Sequence, residues 1–151
     1  MLIWIYFEQS ILSKIEKFKF TPSGSRIIGC ELLNNFAVLG IGEGEQGKIC
    51  ITDLDVIEVS NLIRQFLFRE KHLRLPKSST AEAAAVQMNK NLKGHIFAKN
   101  EKVCEQTEYI FSDDYFKKLD VVANALDNVN VRKYVDLREK NTNKFRRLCL
   151  S

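Results

Sequence analysis

Histidine is nearly missing from this sequence: His72 and His95 are the only two, and they lie far apart. The four cysteines, at positions 30, 50, 104 and 149, form no Cys-x-x-Cys pair and have no histidine pair beside them. Zinc-ligand spacing is therefore absent. A cysteine–histidine nucleophile pattern is absent too, so none of the cysteines reads as a nucleophile. Long apolar runs are also lacking. The longest near the start, Met1 to Phe7, is far shorter than the ~20 residues that span a bilayer. It carries neither the basic flank nor the small-residue cleavage site of a signal peptide. A disulfide framework is not expected in so apolar a chain without such a signal, and a soluble, reducing compartment is. Dense basic clusters are missing as well. The 23 Lys and Arg are interleaved with 19 Asp and Glu, and the net charge of +4 calls for neither nucleic acid nor a membrane surface as partner.

What remains is ample material for one core. The 151 residues are 45% hydrophobic and 10% aromatic, which suits a single domain and argues against disorder. Glu8 to Lys19 places Ile11, Leu12, Ile15 and Phe18 at helical spacing. A glycine-containing turn, Gly24 to Gly29, leads into a second helix with Leu32, Leu33, Phe36, Ala37 and Leu39 on one broad face. That helix is expected to end in the stretch Gly40 to Gly47. Lys48 to Thr52 is a β-branched run closing on Asp53-Leu54-Asp55, a strand with acids at its carboxyl end. Val56 to Arg74 has little period and reads as a loop with short helical turns. Pro76 precedes an alanine-rich helix from Lys77 to about Asn91. Strands follow at His95–Ala98 and Val121–Leu126, and helices at Asp113–Lys118 and from Val129 to about Lys140. Alternation of this kind predicts an α/β fold with a doubly wound, mostly parallel sheet. Ligands of such sheets bind beyond the carboxyl ends of the strands, where Asp53, Asp55 and Asp127 all fall.

Each candidate has two readings. Gly24 to Gly29 is like a GxGxxG phosphate loop, but Arg26 holds the middle glycine position, and an ordinary strand–helix turn fits equally well. Asp53 lies where a carboxylate can take ribose hydroxyls, or it caps a turn. Arg64 and Lys77 suit phosphate oxygens, or they are solvated charges. Asp127 suits Mg²⁺, or it caps the next helix together with Asn128.

Three blocks in order go further: Ile28-Gly29-Cys30-Glu31-Leu32-Leu33 with Thr52-Asp53-Leu54-Asp55, then Ser60-Asn61-Leu62-Ile63-Arg64-Gln65-Phe66-Leu67-Phe68-Arg69, then Ala123-Asn124-Ala125-Leu126-Asp127-Asn128-Val129. Together they resemble the adenylation domain of ubiquitin-activating enzymes, a ThiF-type, Rossmann-like fold, from about Phe7 to Arg138. On that resemblance residues 1–6 are an extension, 7–138 a partial adenylation domain incomplete at its C-terminus, and 139–151 a basic tail. The resemblance implies ATP and Mg²⁺ as cofactors. Asp53 would hold the ribose, and Arg64 and Lys77 would contact the phosphates as catalytic residues. Asn61 and Gln65 would lie in the same phosphate-binding segment, with Gly24, Ile27 and Gly29 along the nucleotide. Asp127 would bind Mg²⁺, with Asn128 beside it.

The same resemblance implies a ubiquitin-like protein as partner, a pseudo-symmetric adenylation half, and the cytoplasm and nucleus as setting. In the family, a C-terminal carboxylate is converted to an acyl-adenylate and then passed to a cysteine of a later domain, which these 151 residues do not include. Thioester formation by this chain alone is therefore not expected. Pro22 and Ser23 stand where the family has an apolar central strand, and Arg26 where it has glycine. Two other classes are carried alongside: a non-catalytic interaction module that keeps the fold, and an NAD-dependent oxidoreductase, against which the Asn61–Arg64–Gln65 block argues.

Overall fold

A computed structural model describes residues 2–6, 28–119, 121–124, 129–142 and 146–149. Its elements are β1 (Leu2–Tyr6), α1 (Ile28–Val38), β2 (Lys48–Thr52), the short α2 (Val59–Leu62), α3 (Lys77–Met88), β3 (Ile96–Lys99), α4 (Asp113–Lys117), β4 (Val121–Asn124), α5 (Val129–Thr142) and β5 (Arg146–Cys149). Single 3₁₀ turns lie at Glu70–His72, Lys90–Leu92 and Glu105–Thr107. The helix expected at Glu8–Lys19 and the turn from Gly24 to Ile27, with Pro22, Ser23 and Arg26, lie outside the described residues. So do Asp127 and Asn128.

The five strands among the described residues form one sheet in the order β3-β2-β1-β4-β5. β2 and β3 are parallel, as are β4 and β5, while β1 is antiparallel to both of its neighbours. Four strands thus share one direction and β1 runs against them in the middle, so the sheet is mostly parallel. Residues 2–6, set aside on sequence as an extension, form the central strand. Arg146–Cys149, inside the expected basic tail, form the edge strand β5, and α5 continues to Thr142. The physical reason is local. Ile3, Trp4, Ile5 and Tyr6 are strong strand formers, whereas Pro22 offers no ladder donor and is a poor occupant of a central strand.

Both faces of the sheet are covered, as alternation along β2 shows. Ile49 and Ile51 join a core with Cys30, Leu33 and Phe36 of α1, Ala81 and Ala85 of α3, and Ile96 of β3. Cys50 joins a second core with Phe116 of α4, Val122 of β4, Phe111, and Val131 and Val135 of α5. Two helices on each face make the sheet doubly wound. Helix α1 buries Cys30, Leu33, Phe36 and Ala37, the i, i+3, i+6 and i+7 positions of one stripe. It ends at Gly40, whose φ of 69° is the left-handed conformation that glycine adopts without a Cβ penalty. Gly40 N donates to Ala37 O at 3.3 Å and Ile41 N to Phe36 O at 2.9 Å, the paired bonds of a Schellman stop.

Candidate functional site

The carboxyl ends of β2 and β4 meet the same edge of the sheet, because Leu2 pairs with both Thr52 and Asn124. Two strand spacings put these ends about 10 Å apart. Asp53 follows one end directly, and Asp127 follows the other three residues on, outside the described residues. Between β2 and β4 the helices change faces, which is the switch point where doubly wound sheets bind ligands.

Asp53 is fixed at that edge by its amide, which donates to Lys99 O at 3.2 Å and extends the β2–β3 ladder. Its carboxylate Oδ1 accepts from Asp55 N at 2.8 Å, closing an Asx turn. From Asp55 the chain pairs with the approach to α3. Lys77 N donates to Asp55 O at 2.9 Å, Ile57 N to Leu75 O at 2.9 Å and Arg74 N to Ile57 O at 2.9 Å, around a Val56–Pro76 bridge. This strap delivers Lys77 to the first position of α3. Its side chain is only 6% exposed, and its ammonium meets Asp55 Oδ2 at 2.8 Å, a carboxylate that is 55% exposed. A lysine at this place is doubly unfavourable, being buried and facing the positive end of the helix dipole. Broken local rules of that kind concentrate at functional sites.

The segment carrying Asn61, Arg64 and Gln65 is built the other way, with its amides inside. Asn61 is 1% exposed and Gln65 fully buried. Asn61 Oδ1 accepts from Glu58 N at 3.0 Å, and its backbone carbonyl takes Arg64 N at 3.1 Å and Gln65 N at 2.8 Å. Gln65 Oε1 faces Cys30 Sγ at 3.7 Å, tying the segment to the first turns of α1 beside Gly29. Asn61 Nδ2 and Gln65 Nε2 are buried and have no hydrogen-bond partner among the described residues. Leu67 and Phe68 anchor the segment in the core, while the Arg64 side chain is exposed. Thr52 Oγ1 bonds to Glu101 O, and Ser78 Oγ to Asn100 Oδ1, which pins a further loop at the rim.

Burial pushes the Cys30 thiol up to about 12, with Asp53 adding to the effect and Lys77 opposing it. The structure thus ties Asp53 to Lys77 through Asp55, ties Asn61 and Gln65 to α1 beside Gly29, and leaves the Arg64 side chain exposed. Gly24, Ile27, Asp127 and Asn128 lie outside the described residues. Among the described residues no group of three or more His, Cys, Asp or Glu could hold a metal ion. Sequence reasoning had no role for Asp55 beyond its place at a strand end. The signal it lacked was the pairing with Lys77 across 22 positions.

The ThiF family model matches residues 2–144. The chain is 51% identical over 132 residues to ubiquitin-activating enzyme E1 1 of Candida albicans (strain WO-1), covering 87% of this chain and 13% of that protein. It is 48% identical over 132 residues to ubiquitin-like modifier-activating enzyme 1 of Homo sapiens, covering 87% of this chain and 12% of that protein. It therefore spans about an eighth of the length of these relatives. Among solved structures, TcdA (CsdL) superposes with a TM-score of 0.67 at 19% identity, covering 81% of this chain and 44% of that one. E. coli tRNA N6-threonylcarbamoyladenosine dehydratase, TcdA, in complex with AMP superposes at 0.66 and 19%, covering 81% of this chain and 46% of that one; at such identities the likeness is one of fold. With a doubly wound sheet and a family match along nearly the whole sequence, this chain belongs to the ThiF family.

Proposed function

We propose that this chain is the ATP-binding part of an adenylation domain that activates a ubiquitin-like protein. The observation that carries the reading is the pair of buried amide donors, Asn61 Nδ2 and Gln65 Nε2, which have no partner among the described residues. A buried donor left unpaired costs about 1–3 kcal/mol, so these two suit a ligand rich in acceptor oxygens. The ammonium of Lys77 and the guanidinium of Arg64 add positive charge to the same neighbourhood of the chain. Such a set of donors fits a polyphosphate, and the Asp53 carboxylate beside it fits ribose hydroxyls.

In this reading Asp53 holds the ribose, and Asn61, Arg64, Gln65 and Lys77 hold the phosphates. Gly24, Ile27 and Gly29 line the nucleotide. Asp127 offers the hard oxygen ligand that Mg²⁺ prefers, with Asn128 beside it. Bound Mg²⁺ supplies divalent charge against the phosphate oxygens. Lys77 and Arg64 absorb negative charge as the phosphate bond breaks, and the two buried amides fix the direction of the oxygens. A carboxylate oxygen of the ubiquitin-like protein bonds to the α-phosphorus, the bond to the bridging oxygen breaks, and pyrophosphate leaves. A second, pseudo-symmetric adenylation half is a further partner in this reading, and the cytoplasm and nucleus its setting.

Calorimetric titration with Mg-ATP and with NAD tests the assignment. Mg-ATP is expected to bind more tightly than NAD and to lose affinity in Asp53→Ala and Asp127→Ala. Tighter binding of NAD, or affinity untouched by both substitutions, overturns it. One observation favours a second reading, a non-catalytic interaction module. Val59, Ile63 and Phe66, on the segment that carries Asn61, are 67%, 80% and 71% exposed. A folded chain that binds neither nucleotide would decide for that module.

A further inference from the structure

Lys77 meets Asp55 twice, through its amide on the Asp55 carbonyl and through its ammonium on the Asp55 carboxylate. An ammonium carries three N–H donors, and Asp55 Oδ2 is its only hydrogen-bond partner among the described residues. A buried ammonium held by one carboxylate is kept in a single direction with donors left for a second anion. The same Asp55 donates its own amide to Asp53 Oδ1 at 2.8 Å. One residue therefore sets the carboxylate assigned to ribose and the ammonium assigned to phosphate, from opposite ends of a single turn. From this arrangement we infer that Asp55 is a positioning residue, which aims Lys77 at the phosphates before the nucleotide arrives. The inference rests on the adenylation reading above.

Two effects of removing the Asp55 charge have opposite signs. Simple electrostatics says that a carboxylate near a polyphosphate repels it, so that neutralisation tightens binding. Positioning says that Lys77, buried and at a helix N-terminus, loses its orientation when its partner is neutralised, so that binding weakens. Positioning is expected to win, because the Asp55 carboxylate is half exposed and screened whereas the Lys77 side chain is enclosed.

The experiment compares titrations of the full chain with Mg-ATP and with adenosine, which has the ribose and base but no phosphate. Asp55→Asn is expected to weaken Mg-ATP by about tenfold or more and to leave adenosine unchanged. In a Lys77→Met background the same substitution should have an effect below about twofold, since residues that act through one another are non-additive. Tighter Mg-ATP binding by Asp55→Asn, equal weakening of Mg-ATP and adenosine, or a full loss that persists in Lys77→Met would each overturn the inference. Unchanged adenosine binding also confirms that the variant is folded. A wild-type chain that binds Mg-ATP no better than adenosine overturns the adenylation reading and this inference together. Wild-type preference for Mg-ATP with an indifferent Asp55→Asn overturns the inference alone.

Discussion

Cys30 lies near the start of α1, where a helix N-terminus ordinarily favours a thiolate and makes a cysteine reactive. Burial reverses that tendency and pushes the thiol up to about 12 from an ordinary value of 9.0. A thiol with so high a pKa in the folded state keeps its proton at neutral pH and is a poor nucleophile. The linkage has a definite sign. Above pH 9 the unfolded chain sheds this proton first while the folded chain retains it, so the contribution to stability is complete below pH 9 and is lost as pH rises towards about 12. The slope in that window is at most about 1.4 kcal/mol per pH unit. Denaturant melts between pH 8 and 11 should show a steeper alkaline loss for the wild type than for Cys30→Ala. Coincident slopes would refute the assignment. On the same grounds, incubation with ATP, Mg²⁺ and ubiquitin should give no thiol-sensitive adduct on a non-reducing gel, and an adduct that disappears in Cys30→Ser would contradict it.

The antiparallel strap of Asp55–Ile57 against Arg74–Lys77 is the element that presents Lys77, and it contains a strained residue. Arg74 has φ of 66°, the one non-glycine residue with positive φ among those described. A side chain in that conformation costs roughly 1–2 kcal/mol against glycine, of which the freer unfolded glycine chain takes back a part. Arg74→Gly is expected to raise stability by about 0.5–1 kcal/mol, a gain of a few degrees at most in a scanning melt. A lowered melting temperature would mean that the Arg74 side chain holds the strap by contacts worth more than the strain. This strap also marks the limit of sequence reasoning at the scale of elements. The bounds of β2, the start of α3 at Lys77 and the Gly40 stop of α1 were legible, because each rests on neighbours within a few residues. The pairing of Asp55 with Lys77 and the bond of Cys30 to Gln65 were not, since both join residues far apart in the chain. Asn61, Gln65 and Lys77 could be singled out by resemblance, but nothing in their spacing shows that all three are buried.

For the whole molecule, the expected class was right and the occupant of its middle was not foreseen. Alternation of strands and helices led to a doubly wound sheet, and four of the five strands obey it. The exception is β1, because a strand at the centre can come from any segment with enough strand propensity, whichever way it runs. β1 pairs along its length with β2, and from Leu2 to Ile5 with β4, so it joins the β2–β3 half of the sheet to the β4–β5 half. Proline removes a ladder donor, and the partner carbonyl left unpaired inside the sheet costs about 1–3 kcal/mol, a large share of the roughly 5–15 kcal/mol that holds a domain together. Ile5→Pro should therefore abolish cooperative unfolding or shift its midpoint strongly, whereas Ile5→Val should change it little. Trp4 is the chain's single tryptophan and pairs with Cys50 and Val122, so its fluorescence reports on this strand directly. Its emission in Ile5→Pro should match that of the denatured wild type. Wild-type emission together with an unmoved midpoint would show that Leu2–Tyr6 is not the strand that binds the halves.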